Sequence, residues 1–189
     1  MGTRGIIAFH HKDQTKATYN HFDSYPEGLG VDMLAFLRSA ADIDALRESV
    51  ANLQVVSDDV PPTSEQIEAL AQYAKRNVGT QTLDDWYVLL RETQGDPAAI
   101  LTAGYIEDQF GFGYDSLFCE WGYVIDLDTE NFDVYRGFNK TSKAEGLWMD
   151  ASKAREGNYG PITRVASFSF NDLPDDAAFV ATVDPSDEA

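Results

Sequence analysis

The chain has one cysteine, Cys119, and few basic residues, and both shortages limit what it can do. A single thiol can form neither an intrachain disulfide nor a multi-cysteine zinc site. The 14 Lys and Arg residues face 32 Asp and Glu residues, which gives a net charge of −18. Because Lys and Arg hold nucleic-acid phosphates and anionic lipid surfaces, we expect neither direct nucleic-acid binding nor membrane binding.

Long apolar runs are also missing. No stretch approaches the roughly 18 residues of a transmembrane helix, and the N-terminus lacks the apolar region of a secretory signal. We therefore expect a soluble, cytoplasmic protein. The 189 residues include 43% hydrophobic and 12% aromatic residues, which is enough for a packed core. We predict one domain over residues 1–183 and a flexible acidic tail over 184–189.

The order of the predicted elements indicates the fold class. Residues 5–11 and 16–23 have the composition of two strands around the turn 12–15. Hydrophobic periodicity predicts helices from residue 31 onward, and the last of them is a short helix that starts at Asp96 and Pro97. The last third is rich in strand patterns, with a hairpin over 118–138 and a strand over 162–170. Strands, then helices, then strands predict an α+β domain. Its sheet should be mostly antiparallel, built from the N- and C-terminal strands, with the helices on one face.

A polar and aromatic segment at residues 19–30, YNHFDSYPEGLG, is the strongest candidate for a site. A strand that ends in Asn, His, Asp and Ser is polar where a core strand should be apolar. We predict His21 as a general base or acid and Asp23 as its partner, with amide or ester hydrolysis as the chemistry. The alternative is a turn in which these side chains only satisfy the backbone. The predicted ligand-binding residues are Tyr19, Asn20, Ser24, Tyr25, Cys119 and Glu120.

Cofactor and metal motifs are scarce. No phosphate-binding loop occurs, so no nucleotide cofactor is predicted. His10 and His11 are adjacent in a predicted strand and should point to opposite faces, so we predict no metal site. The spacing Asp126-x-Asp128-x-Glu130 lacks the glycine and the final glutamate of a calcium loop, and we interpret it as an acidic hairpin turn.

The charge is unevenly distributed, and this supports a second, non-enzymatic hypothesis. Residues 101–135 hold eight acids and no base, whereas residues 136–155 hold five bases. These two stretches could contact each other, or the acidic one could dock on a basic surface of another protein, as an inhibitor or a nucleic-acid mimic does. The residues predicted for that docking face are Glu107, Asp108, Asp115, Asp126, Asp128, Glu130 and Asp133.

Three motifs carry a resemblance to other proteins: TRG (3–5), YNHFDSYPEGLG (19–30) and the pair CEWGYVIDLD (119–128) and FDVYRGF (132–138). They resemble a set of uncharacterised bacterial and bacteriophage proteins, from which no activity carries over. The N-terminal motifs are also distantly similar to N-terminal nucleophile hydrolases of the bile-salt-hydrolase kind. That similarity implies Thr3 as nucleophile, supported by Asn20 and Asp23. Removal of the initiator methionine leaves Gly2 in front of Thr3, so a further cleavage would be needed to free its amine.

Overall fold

The computed structural model describes residues 2–75, 82–141, 143–154 and 159–185. These residues form seven strands and six α-helices. The strands are β1 (Gly5–His11), β2 (Gln14–Asn20), β3 (Gln54–Val56), β4 (Tyr105–Glu107), β5 (Trp121–Asp126), β6 (Asn131–Arg136) and β7 (Thr163–Ser169). The helices are α1 (Val31–Ser39), α2 (Ile43–Asn52), α3 (Ser64–Leu70), α4 (Trp86–Leu89), α5 (Pro97–Ala103) and α6 (Asp176–Val183).

Five strands form one mixed sheet in the order β2-β1-β5-β6-β7. Three of its pairings are antiparallel, whereas β1 and β5 run parallel, with Gly5 opposite Trp121 and His10 opposite Asp126. This parallel pair joins the N-terminal hairpin to the C-terminal strands. β3 and β4 form a separate two-stranded parallel sheet. The predicted α+β class is confirmed.

Alternate residues of the central strands fill two cores. Phe9 and Ile125 point to the face that α1, α2, α5 and α6 cover. Ala8 and Val124 point to the opposite face, which Trp148 and turns of the chain cover. The helices therefore pack on one face of the sheet, as predicted. No helix in the described ranges is long and apolar enough to cross a membrane.

Local capping signals explain several helix starts. Thr63 and Gln66 have the sequence pattern of a capping box and form the capping box of α3, and Asp96 caps α5 with Pro97 at its first position. Thr82 with Asp85 also resembles a cap in the sequence, but Thr82 does not cap α4. Asp85 caps α4 through the backbone N–H of Tyr87, and the Thr82 carbonyl closes the turn before it.

One further expectation needs correction. β2 ends at Asn20 rather than at residue 23, because Asp23 has φ of 51° and turns the chain out of the strand. Glu130 and Asp133 of the acidic stretch pair with Arg47 and Arg164, which lie outside the basic patch. Arg155 and residues 186–189 of the predicted tail lie outside the described residues.

Candidate functional site

The polar segment after β2 folds into a buried hydrogen-bonded turn. Asn20 and Ser24 are 4% and 0% exposed, and the Asn20 amide donates to the Ser24 hydroxyl at 2.8 Å and to the Phe22 carbonyl. The buried Tyr123 hydroxyl donates to the Ser24 carbonyl at 2.9 Å. These contacts favour the alternative interpretation of the segment, a turn whose polar side chains serve the structure, because the buried groups of Asn20 and Ser24 have hydrogen-bond partners.

His21 and Asp23 do not come together. The Nδ1 atom of His21 shares a hydrogen bond with the Tyr19 hydroxyl at 2.8 Å. His21 lines a cleft of about 520 Å³ with Thr3, whereas the exposed Asp23 lines a different cleft with Tyr25. Burial, with the charges of Arg91 and Arg4, lowers the pKa of His21, which favours the neutral imidazole.

Cys119 is fully buried just before β5. Burial raises the pKa of its thiol well above the usual value, and its Sγ lies 3.6 Å from the Trp121 carbonyl oxygen. A thiol in such surroundings is inert. Glu120 lines the same cleft as His21 and accepts the Arg4 backbone N–H at 3.3 Å.

The acids predicted as a docking face do not share one surface. Asp115 and Asp133 are buried at 7% and 4% exposure. The Asp133 carboxylate accepts from the Arg164 guanidinium at 2.9 Å, and Glu130 pairs with Arg47 at 2.6 Å. Asp108 is exposed and accepts the Phe110 backbone N–H. Most of this predicted set therefore has partners within the fold.

Asp126 and Asp128 organise the turn between β5 and β6. Asp126 accepts the backbone N–H groups of Asp128 and Thr129, which confirms the acidic hairpin turn. The expectation that the two adjacent histidines point apart is not met. The His11 Nδ1 and His10 Nε2 atoms lie 3.0 and 3.7 Å from the Asp128 carboxylate, because β1 ends there in a tight turn.

The remaining predicted docking acid, Glu107, lies in a cleft of about 550 Å³ that we call the acidic aromatic cleft. Four segments of the chain build it: β2, the turn after β3, the residues before and within α4, and the chain from β4 through the helical turn Phe110–Tyr114. Its described lining consists of Tyr19, Asp58, Asp84, Asp85, Trp86, Tyr87, Glu107, Gln109 and Phe112.

Backbone contacts hold these segments in place. The Gln109 N–H donates to the Ala17 carbonyl of β2 at 2.9 Å, and the Asp108 N–H donates to the Val56 carbonyl of β3 at 2.8 Å. The Trp86 indole N–H donates to the Val60 carbonyl at 2.8 Å, which ties α4 to the loop after β3. The cleft is thus built on strands and fixed loops.

Glu107 is the most perturbed acid of the cleft. Its side chain is buried, and burial together with the neighbouring Asp58 carboxylate raises its pKa from 4.5 to about 7. The Gln109 amide donates to it at 3.0 Å and partly offsets that rise. Close carboxylates cannot all ionise at low cost, so one of them holds a proton near neutral pH.

The cleft's chemistry favours a cation. Its described lining carries four carboxylates and four aromatic rings but no Lys, Arg or His. Carboxylates attract an ammonium or guanidinium group, and the faces of Trp, Tyr and Phe add cation–π attraction. One ring of the cleft already takes part in such a contact, because the Arg91 Cζ atom is 5.1 Å from the ring centroid of Tyr87 and equally far from that of Phe22, which lies outside the cleft lining.

Most of this cleft has no counterpart among the sequence-based predictions. Tyr19 and Glu107 appear there in separate roles, and Asp58, Asp84 and Trp86 do not appear as site residues. The only sequence signals were the acids around the turns 57–60 and 82–85, which are common in solvated loops. The β3–β4 pairing, which joins residues about 50 apart, brings the turn that carries Asp58 to Glu107.

Comparison with known protein families, with curated proteins and with solved structures finds nothing that matches this chain. The site's own geometry therefore carries the functional argument.

Proposed function

We propose that this protein binds a basic partner protein and receives a cationic Lys or Arg side chain of that partner in the acidic aromatic cleft. The observation that carries the proposal is the lining itself, four carboxylates and four rings around about 550 Å³ with no basic side chain among its described residues. A volume of this size is typical of ligand sites in proteins.

The net charge supports the same function. At −18, the protein attracts basic surfaces over distances comparable to the Debye length, which raises association rates at low salt. Charge alone does not select a docking position, however. The cleft supplies such a position, because the fold holds its carboxylates close together and a bound cation replaces the water around them.

The first test uses NMR titration with a blocked Gly-Gly-Arg-Gly-Gly peptide and its twin with neutral citrulline in place of arginine. Of the three tryptophans, only Trp86 lines the cleft, so its indole N–H signal reports binding there, and Trp121 and Trp148 serve as internal references. We expect the arginine peptide, and not the citrulline peptide, to shift the Trp86 signal.

Matched variants locate the binding. Asp58→Asn and Glu48→Gln each remove one negative charge, but Glu48 is an exposed residue of α2 and lies outside the cleft. D58N should weaken arginine-peptide binding several-fold, whereas E48Q should leave it unchanged. Equal weakening by both variants, or equal shifts with both peptides, would contradict the proposed function.

A second candidate function is amide or ester hydrolysis in the cleft that Thr3 and His21 share with Arg4 and Glu120. The neutral imidazole of His21 can accept a proton, which supports this reaction. Activity should disappear in His21→Ala without loss of thermal stability. Intact mass would show whether cleavage before Thr3 frees its amine, and a protein that keeps Gly2 would rule out Thr3 as an N-terminal nucleophile.

A further inference from the structure

Two turns meet at the end of the sheet opposite Gly5, and they bring an imidazole and two carboxylates together. His10 lies near the end of β1, Asp13 lies in the β1–β2 turn, and Asp128 lies in the β5–β6 turn. One nitrogen or oxygen atom from each residue lies within 4.8 Å of one from each of the others. Because β1 and β5 pair in parallel, with His10 opposite Asp126, the turns that follow these two strands lie close together.

The histidine is oriented as a metal ligand would be. Its Nδ1 shares a hydrogen bond with the Thr15 hydroxyl at 2.8 Å, which leaves Nε2 facing the Asp128 carboxylate. The distance from Nε2 to Oδ2 is 3.7 Å, which is too long for a good hydrogen bond. Two ligands bound to one ion at about 2.0–2.2 Å each lie at most about 4.4 Å apart, so this separation suits a shared ion.

Asp128 is held in position from its other side. Its Oδ1 accepts from the His11 Nδ1 at 3.0 Å and from the Lys12 N–H at 2.9 Å, whereas its Oδ2 accepts only the Asp13 N–H at 3.0 Å among the described donors. Oδ2 therefore keeps a lone pair for an ion. Partners of this kind orient ligands and tune their affinity in metal sites.

The local charge also calls for a cation. The Asp13 and Asp128 carboxylates converge here, and within the described ranges no Lys or Arg forms a salt bridge with either of them. Imidazole combined with carboxylates suits divalent transition metals, whereas Mg²⁺ and Ca²⁺ favour oxygen ligands alone.

We propose that His10, Asp13 and Asp128 form a binding site for a divalent transition-metal ion of the Zn²⁺ type, with water completing its coordination. Such an ion would cross-link the β1–β2 turn to the β5–β6 turn. This site is distinct from the acidic aromatic cleft and does not depend on the function proposed for it.

The test is calorimetric titration of Zn²⁺ into the full chain. The protein carries no histidine tag and is first treated with a chelator. A salt concentration of about 0.15 M screens the diffuse attraction of Zn²⁺ to the acidic surface. We expect one equivalent of Zn²⁺ to bind. His10→Gln and Asp13→Asn should each weaken binding at least about tenfold, the lower end of the effects seen when groups that support a metal site are removed. Asp13 has φ of 57°, a conformation that Asn tolerates well, so D13N should keep the fold.

Controls separate this site from nonspecific binding. His21→Gln removes the histidine that is neither part of the triad nor bonded to Asp128, and it should leave Zn²⁺ affinity unchanged. Zn²⁺ should also raise the thermal midpoint of the wild type and not that of D13N, because an ion that binds only the folded state stabilises it. Equal Zn²⁺ affinities in wild type and D13N, or Mg²⁺ binding as tight as Zn²⁺ binding, would overturn the proposal.

Discussion

Glu107 in the acidic aromatic cleft and Asp128 in the β5–β6 turn are both carboxylates, yet the fold shifts their pKa values in opposite directions. Burial and the Asp58 carboxylate raise the pKa of Glu107 to about 7. Backbone N–H donors from Lys12 and Asp13, with a smaller contribution from His11, lower the pKa of Asp128 to about 2. Glu107 lies among other carboxylates and aromatic rings, whereas Asp128 lies among hydrogen-bond donors.

The difference shows why net charge alone does not identify a binding surface. Around β5 and β6 the carboxylates serve the fold, because they cap turns or pair with Arg47 and Arg164. In the cleft the carboxylates face one another, and among the described residues no salt bridge reaches Asp58, Asp84 or Glu107. A cation from outside can improve the arrangement in the cleft, whereas it has little to add to Glu130 and Asp133, which already pair with arginines.

The largest effect should follow from breaking an internal pair. Arg164→Ala leaves the buried Asp133 carboxylate without its cation, and Oδ1 of Asp133 already lacks a hydrogen-bond partner. We expect a loss of about 3 kcal/mol in the free energy of unfolding, measured with urea at pH 7. Adding Asp133→Asn to that variant should recover part of the loss. An R164A protein as stable as the wild type would show that the hairpin acids do not depend on internal partners.

Glu107 should affect stability in the opposite direction from Arg164. Because the folded state raises the pKa of Glu107, its protonation favours folding, and that contribution is lost as pH rises from about 4.5 through 7. Glu107→Gln should therefore be more stable than the wild type at pH 8, by up to about 3 kcal/mol from the size of the shift. Near pH 4 the two proteins should be similar. A stability difference that is the same at both pH values would contradict this assignment.

A smaller effect is expected at Asp128. Its lowered pKa contributes stability that is present above about pH 4 and is lost as pH falls toward 2. Asp128→Asn should cost about 1 kcal/mol at pH 7, because the side chain is partly exposed and solvent screens its contacts. Thermal unfolding should show the gap between D128N and wild type closing as pH falls from 4 to 2. A gap that persists at pH 2 would mean that the charge of Asp128 is not the cause.

Much of the fold follows from local sequence patterns. Alternation and turn residues predict β1 and the β5–β6 hairpin, and capping residues such as Thr63 and Asp96 mark helix starts correctly. The parallel β1–β5 pairing could not be predicted, because it joins segments more than 100 residues apart. Nothing in the local composition of either strand specifies its neighbour in the sheet.

The candidate site was harder to predict for the same reason. The segment 19–30 is rich in polar residues, but Asn20 and Ser24 satisfy a turn, and Tyr19, His21 and Asp23 face three different clefts. The acids of the cleft come from loops whose composition is ordinary. Their meeting depends on long-range packing around β4, which periodicity and motif spacing do not encode.

The cation-binding role of the cleft is tested most directly by a carbon-13 NMR titration of the Glu107 carboxyl group, with and without the blocked arginine peptide. We expect a pKa near 7 in the free protein, as burial beside Asp58 requires. We also expect a lower pKa when the peptide is bound, because a neighbouring cation favours the ionised carboxylate. A pKa near 4.5 in the free protein, or one that a saturating amount of the arginine peptide leaves unchanged, would contradict this role.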